Sequence, residues 1–301
     1  MPRTNDARFD ALADVYGRVS ESLADLLATM LVTTSASARQ KMHTEVLRRL
    51  RELESQTQAW VRAYAAAMLE EERDQLGILL LLGLSVAQRD KLVADAANQA
   101  QLAILARLTT AIGSVRALAA SANSGISPIA MQAAVDAARA SSSAALGLRG
   151  DLRQKLVSVL TTNGKLVRFE PSYYAALTAF MEIGFAAQEV TKAAMEEAGR
   201  DLVRISPNPS TIGDYCDMYR GKVFSLSGNH PDVPPLSLVP SGNVPMHPWC
   251  HHRLLPYDEV GKTSSQLQHA SRLPQEFIDA AMRGEASHVF EKLWRSKAWN
   301  I

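Results

Sequence analysis

Residues Cys216 to His252, CDMYRGKVFSLSGNHPDVPPLSLVPSGNVPMHPWCHH, constrain this chain more than any other stretch. They hold both cysteines, four of the seven histidines and six of the 13 prolines. Proline fixes its own φ and lacks a backbone donor, so neither a long helix nor a central strand runs through such a segment. The chain before it reads as helix after helix. A compact, turn-rich knot is therefore expected at the end of a long helical region.

Composition fits that division. The 301 residues are 47% hydrophobic but only 6% aromatic, so most of the apolar surface is alanine and aliphatic, as packed helices favour. With 32 basic and 31 acidic residues the net charge is +1, which leaves local patches but no whole-protein attraction to nucleic acid. Two cysteines are too few for a disulfide framework and suit a reducing cytoplasm. The first ten residues, MPRTNDARFD, lack the apolar core of a signal peptide. The longest apolar run, Leu76 to Val86, is too short to span a bilayer and contains Gly77 and Gly83. It reads as a helix end buried against neighbours, with a partner-facing patch as the alternative and no membrane association expected.

In chain order, Phe9, Leu12, Tyr16, Val19, Leu23, Leu26 and Met30 follow the rhythm of a coiled-coil seam. Met42, Val46, Leu50, Leu53, Trp60, Tyr64 and Ala67 repeat it, with Ser37 as the expected cap, so the two helices form a hairpin. Arg39, Lys41, Arg48, Arg49 and Arg51 make its most basic patch, a solvated face or a surface for DNA or an acidic partner. A third helix, from Gln88 to about Ala120, is apolar over much of its circumference and is expected to be buried widely. Ser127-Pro128 restarts a helix whose residues Ala130 to Leu146 are mostly small. Asp151 to about Thr161 reads as a short helix and Leu166 to Phe169 as a strand. Ser172 to Ala198 is helical, with Tyr174, Leu177, Met181 and Phe185 near one side and Gly199 as its cap, and Leu202 to Ser206 alternates like a strand.

From here the order of residues resembles a known family, the phage minor head or head-morphogenesis proteins of the Mu F-like and minor capsid protein 2 type. A long helix, a strand, Cys216, then Gly221, Lys222, Val223, Phe224 and Gly228, a proline-rich loop, and Pro245, His247, Pro248, Cys250 and His252 carry the resemblance. It spans about residues 165–257. Two departures stand out. Tyr219 occupies the place of a second cysteine, and Ala-Phe-Met-Glu around Glu182 replaces an Arg-Thr-Glu-like set, which removes the expected polar link from helix to knot.

Cys216, His247, Cys250 and His252 are a set of donors suited to a structural zinc ion, with His230 and His251 as weaker substitutes. A buried pair of thiols, histidines bonded to carbonyls, and a disulfide remain alternatives. Phe224 and Trp249 are expected to fill the small core, and Gly221 and Gly228 to permit turns around a Val223-Phe224 strand. The chain has no G-x-S-x-G elbow, no H-E-x-x-H pair and no phosphate loop, so it is not expected to be an enzyme. The rival enzyme reading is an HNH-like nuclease using His230, Asn243, Cys250 and His251, which Pro245, Pro248 and Pro256 oppose by breaking the helix such a site needs. A non-viral coiled-coil adaptor is the other rival.

The expected fold is mainly α, with a coiled-coil-like amino-terminal arm and a small, loop-rich α+β module. Its expected divisions are a helical arm and bundle over 1–162, the Cys/His module over 163–260, and a helical tail over 261–301. In the tail, Leu273-Pro274 and Gly284 bracket a short helix, and Phe290, Leu293, Trp294 and Trp299 form an aromatic end that packs back or docks. The resemblance implies a low-copy virion protein inside the phage head, assembled in the host cytoplasm. It also implies oligomeric contact with portal, scaffold or major capsid protein, and contact with packaged double-stranded DNA.

Overall fold

The computed structural model describes residues 6–76, 82–124, 157–160, 166–207, 215–239, 242–246, 249–275 and 278–279. It is mainly helical with a small antiparallel sheet, the expected class. The chain divides into two compact units, Met1–Ala65 with Gln101–Phe180, and Ala66–Ala100 with Met181–Ile301. No helix among the described residues is long and apolar enough to cross a membrane.

The first unit is built on α1 (Ala7–Val32) and α2 (Ala36–Leu76), the expected hairpin. Asp6 caps α1 by accepting from the Arg8 N–H at 2.9 Å. Ser35, not Ser37, caps α2: its Oγ accepts from the Ala38 N–H at 3.3 Å. The seams also differ from expectation. On α1, Ser20 and Leu27 are buried where Val19 and Leu26 were expected; on α2, Ala65 and Met68 take the places of Tyr64 and Ala67. A straight helix repeats every 3.6 residues rather than 3.5, so a strict heptad rotates off the packed face. The burial also involves more than a pair of helices. Phe9 meets Trp60 at 6.2 Å and, edge to face, Phe180 at 5.8 Å. Ala111, Ile112 and Val115 of α3 (Val86–Asn123) line a small apolar cavity with Tyr16, Ser20, Leu50 and Leu53. The hairpin is thereby part of a helical bundle.

Buried polar groups in this unit are paired. The hydroxyls of Tyr16 and Thr57 lie 3.0 Å apart, and the Trp60 indole donates to the Arg8 carbonyl at 2.9 Å. The basic patch of α2 is largely engaged. Arg48 and Arg49 pair with Glu45, Arg48 also with Glu52, and Arg51 donates to the Leu47 carbonyl. Arg39 donates to the carbonyls of Thr33, Thr34 and Asn123. On α3 the buried positions form one stripe, from Val93 and Ala97 to Ala119 and Ala122, while Leu102 is 69% exposed. The wide burial expected there is absent because much of that apolar composition is alanine, which favours helix on either face. Residues 157–160 form a strand, β1 (Val157–Leu160), not the end of a helix. It pairs antiparallel with β2 (Leu166–Phe169), the two flanking Asn163-Gly164, a sequence that favours hairpin turns.

The second unit gathers residues of α2, α3 and α4 (Pro171–Glu197), the last from Met181 onward, with the knot. Around Gly199, the Gly199 N–H bonds the Glu196 carbonyl and the Arg200 N–H bonds the Met195 carbonyl, closing α4 as expected. The expected aromatic stripe is not its packed face. Only Leu177 is buried; Tyr174, Met181 and Phe185 are partly exposed, whereas Ala175, Ala179, Ala194 and Met195 are fully enclosed. Small side chains let neighbouring backbones approach, which displaces the bulky ones to the margin. The sheet runs β4 (Val223–Ser225), β3 (Leu202–Ile205), β5 (Leu254–Pro256), all antiparallel. Val203, Ile205 and Phe224 face the main core with Leu69, Val93, Val190 and Met195. Leu202 and Val223 pack on the other side with Leu267 of α5 (Ser264–Ser271). Leu82 also joins the main core, consistent with the buried reading of its apolar run. The expected helices at Ala130–Leu146 and after Pro274 lie outside the described residues or nearly so, as does the aromatic tail.

Candidate metal centre

Cys216 lies in a short 3-10 helix, Tyr215–Tyr219, that leads into a tight turn. The Lys222 N–H donates to the Tyr219 carbonyl at 3.0 Å, with Gly221 at φ +72° in the position such a turn reserves for glycine. The Gly221 N–H then donates to Ile205 O at 3.0 Å, and the Ile205 N–H to Lys222 O at 2.9 Å. Gly221 and Lys222 thus oppose one residue, a glycine bulge that sets where β4 joins β3. Tyr219, in place of the second cysteine, is fully buried 6.3 Å from the Phe224 ring. Trp249, expected in the core beside Phe224, is only partly buried.

On the other side of the site the chain is fastened to α4. The Gln188 side chain, fully buried, accepts from the Leu254 N–H at 2.7 Å. Asn243 donates to Glu189 at 2.9 Å and accepts from the Val244 N–H. A Cβ on Gly184 would meet the Pro245 ring at 3.1 Å, so glycine lets the helix come this close. The helix therefore does have a polar link to the knot, made by Gln188 and Glu189 rather than by the Glu182 region. Ser206 adds another tie, its N–H donating to the Arg253 carbonyl and its Oγ accepting from the Arg253 N–H.

These fastenings bring Cys216, Cys250 and His252 together. One donor atom from each lies within 4.8 Å of the others. The residues are 4%, 2% and 3% exposed, and the thiols are not joined. His252 presents Nδ1 to Cys250 Sγ at 3.5 Å, while its Nε2 is buried with no hydrogen-bond partner among the described residues. This is not a histidine settled on a carbonyl. Two thiols and an imidazole form a soft donor set of the kind that binds zinc. The cluster could hold a metal ion. His247, the fourth expected donor, lies outside the described residues.

The other candidates lie elsewhere. His251 is exposed. The His230 ring accepts from the Asp232 N–H at 3.2 Å through Nδ1 and meets Glu259 at 3.1 Å through Nε2. Nearby, Asp201 accepts from Ser225 Oγ at 2.6 Å and from the Ser227 N–H at 2.7 Å. Partial burial works to raise the Asp201 pKa, but those hydrogen bonds outweigh it and hold the carboxyl below its ordinary value. Comparison with known proteins finds no family model, no curated protein and no solved structure that matches this chain.

Proposed function

We propose that the chain is a structural minor head protein of a tailed bacteriophage or prophage, acting in head morphogenesis near the portal, with its knot closed by a zinc ion. One observation carries the reading. The cysteine-histidine set on which the family resemblance rests is, in Cys216, Cys250 and His252, a single buried cluster suited to a metal. The burial of two thiols and an imidazole favours a staple over chemistry, with His247 as the fourth ligand that would close it. The helical region then supplies docking surface for portal, scaffold or major capsid protein, and the role is assembly rather than catalysis.

Quantitative mass spectrometry of purified, DNA-filled particles with tails removed tests the assembly role, using the portal protein as internal copy standard. A low, fixed copy number in the head is expected, and absence from heads and procapsids alike overturns the reading. Zinc is tested separately by elemental analysis of the purified protein beside Cys250→Ser. One zinc per chain, lost in the variant, is expected; metal-free protein with two titratable thiols rejects the staple and leaves the assembly role standing.

A further inference from the structure

We propose that Cys216 and Cys250 are a redox switch within the staple: hydrogen peroxide oxidises the two zinc-bound thiolates to a Cys216–Cys250 disulfide, and the metal leaves. The exchange rests on the zinc reading above; the pairing of the sulfurs rests on geometry. The donor atoms of Cys216, Cys250 and His252 lie within 4.8 Å of one another, and the thiols are not joined. A disulfide needs its sulfurs about 2 Å apart. Cys216 sits in a short 3-10 helix and Cys250 in irregular chain, where side-chain rotation and a small backbone shift close that gap.

Burial decides where the oxidation ends. The two cysteines are 4% and 2% exposed, which keeps out the thiol of another chain and bulky disulfide oxidants but not a molecule as small as peroxide. A buried thiol is ordinarily inert, but zinc coordination holds sulfur as the thiolate, its nucleophilic form. One thiolate attacks a peroxide oxygen, breaking the O–O bond and giving a sulfenic acid and hydroxide. The other thiolate then attacks the sulfenic sulfur and displaces a second hydroxide. Two electrons pass from the sulfurs to the peroxide, and solvent protons turn both hydroxides to water. The chain has no third cysteine, so each of the pair is the resolving thiol of the other. Left with imidazole alone, the metal departs. The neighbouring fastenings contain neither sulfur nor metal: Gln188 on the Leu254 N–H, Ser206 on Arg253, and the turn that follows Cys216. They hold the two segments in place while one closure replaces the other. The disulfide joins the same segments that the metal joins, so the knot stays closed in reducing and oxidising surroundings alike.

The test treats the full, zinc-loaded chain with hydrogen peroxide. Released zinc is read with a chromogenic chelator, the linkage by peptide mass mapping without reduction, and the knot by near-ultraviolet circular dichroism. One zinc released per Cys216–Cys250 disulfide is expected, with the near-ultraviolet signal kept, whereas chelation of the reduced chain removes that signal. Dithiothreitol with added zinc should restore the starting protein, which separates the exchange from methionine oxidation, a change that thiols do not reverse. Because Cys250→Ser is itself expected to unfold the knot, the unsubstituted chain carries the test. Zinc retained with both thiols intact, oxidation onward to sulfinic acid, a disulfide between chains, or loss of the near-ultraviolet signal overturns the exchange and leaves the zinc staple standing. A chain isolated without metal overturns both, and elemental analysis before oxidation tells the two failures apart.

Discussion

The two units solve the problem of a core poor in aromatic residues in different ways. The first relies on repeated helical stripes, in which Leu12, Leu27, Leu50 and Leu108 are interchangeable in kind and the polar pairs are few. The second relies on particular atoms: a bulge at Gly221, a buried glutamine on a strand N–H, and a cysteine-histidine cluster. A stripe tolerates changes of sequence that preserve its period and volume, whereas the knot depends on individual donors and acceptors.

That difference is open to experiment. The largest effect is expected from removing the proposed zinc ion. A structural zinc contributes on the order of 10 kcal/mol to folding, so chelation or Cys250→Ser should abolish the near-ultraviolet circular dichroism of the knot while most helical signal persists. Simultaneous loss of both signals would erase the contrast. Next, Leu50→Ala in the first unit is expected to cost about 2–5 kcal/mol by denaturant unfolding, the ordinary penalty of a core cavity. Gln188→Leu should cost about 1–3 kcal/mol although it adds apolar surface, because it strands the buried Leu254 N–H. Stabilisation by that change would show the knot to be as generic as the bundle.

A smaller effect concerns pH. Asp201 has a depressed pKa in the folded state, so its contribution is present above the ordinary value of 3.8 and is lost as pH falls through the lower, folded value. The difference in melting temperature between the protein and Asp201→Asn should therefore shrink in that acid range. Least of all is expected from Glu45→Gln. Hydrogen bonds from Arg48 and then Arg49 hold the Glu45 carboxyl down to about 2, but the pair lies on the solvent side of α2, where salt screens it, and the melting temperature should not move at physiological salt.

Legibility in the sequence followed the same divide. Periodicity located α1, α2, α3 and α4, and Gly199 marked the end of α4, because helical signals are local. The exact seams were less legible, since which residue of a turn is buried depends on all the neighbours, as Ser20 and Ala65 show. In the knot, β3 and β4 and the grouping of Cys216, Cys250 and His252 were readable from residue type and order. β5 was not: Leu254–Pro256 is too short to alternate and exists by pairing with β3. Two signals were present and unread. Thr263 and Gln266 form a capping box that starts α5, and a glutamine amid the alanines of α4 is costly unless it has a buried partner.

The discontinuity of the second unit bears on how the protein is made. Leu69, Leu82, Val93 and Ala97 emerge from the ribosome long before Met195, Phe224 and Leu254, the residues that will cover them. At about 5–20 residues per second, the delay is roughly 8–30 s. Through that interval the nascent chain shows an apolar helical face to the cell, and slowing translation would lengthen its exposure to chaperones, proteases and neighbouring copies.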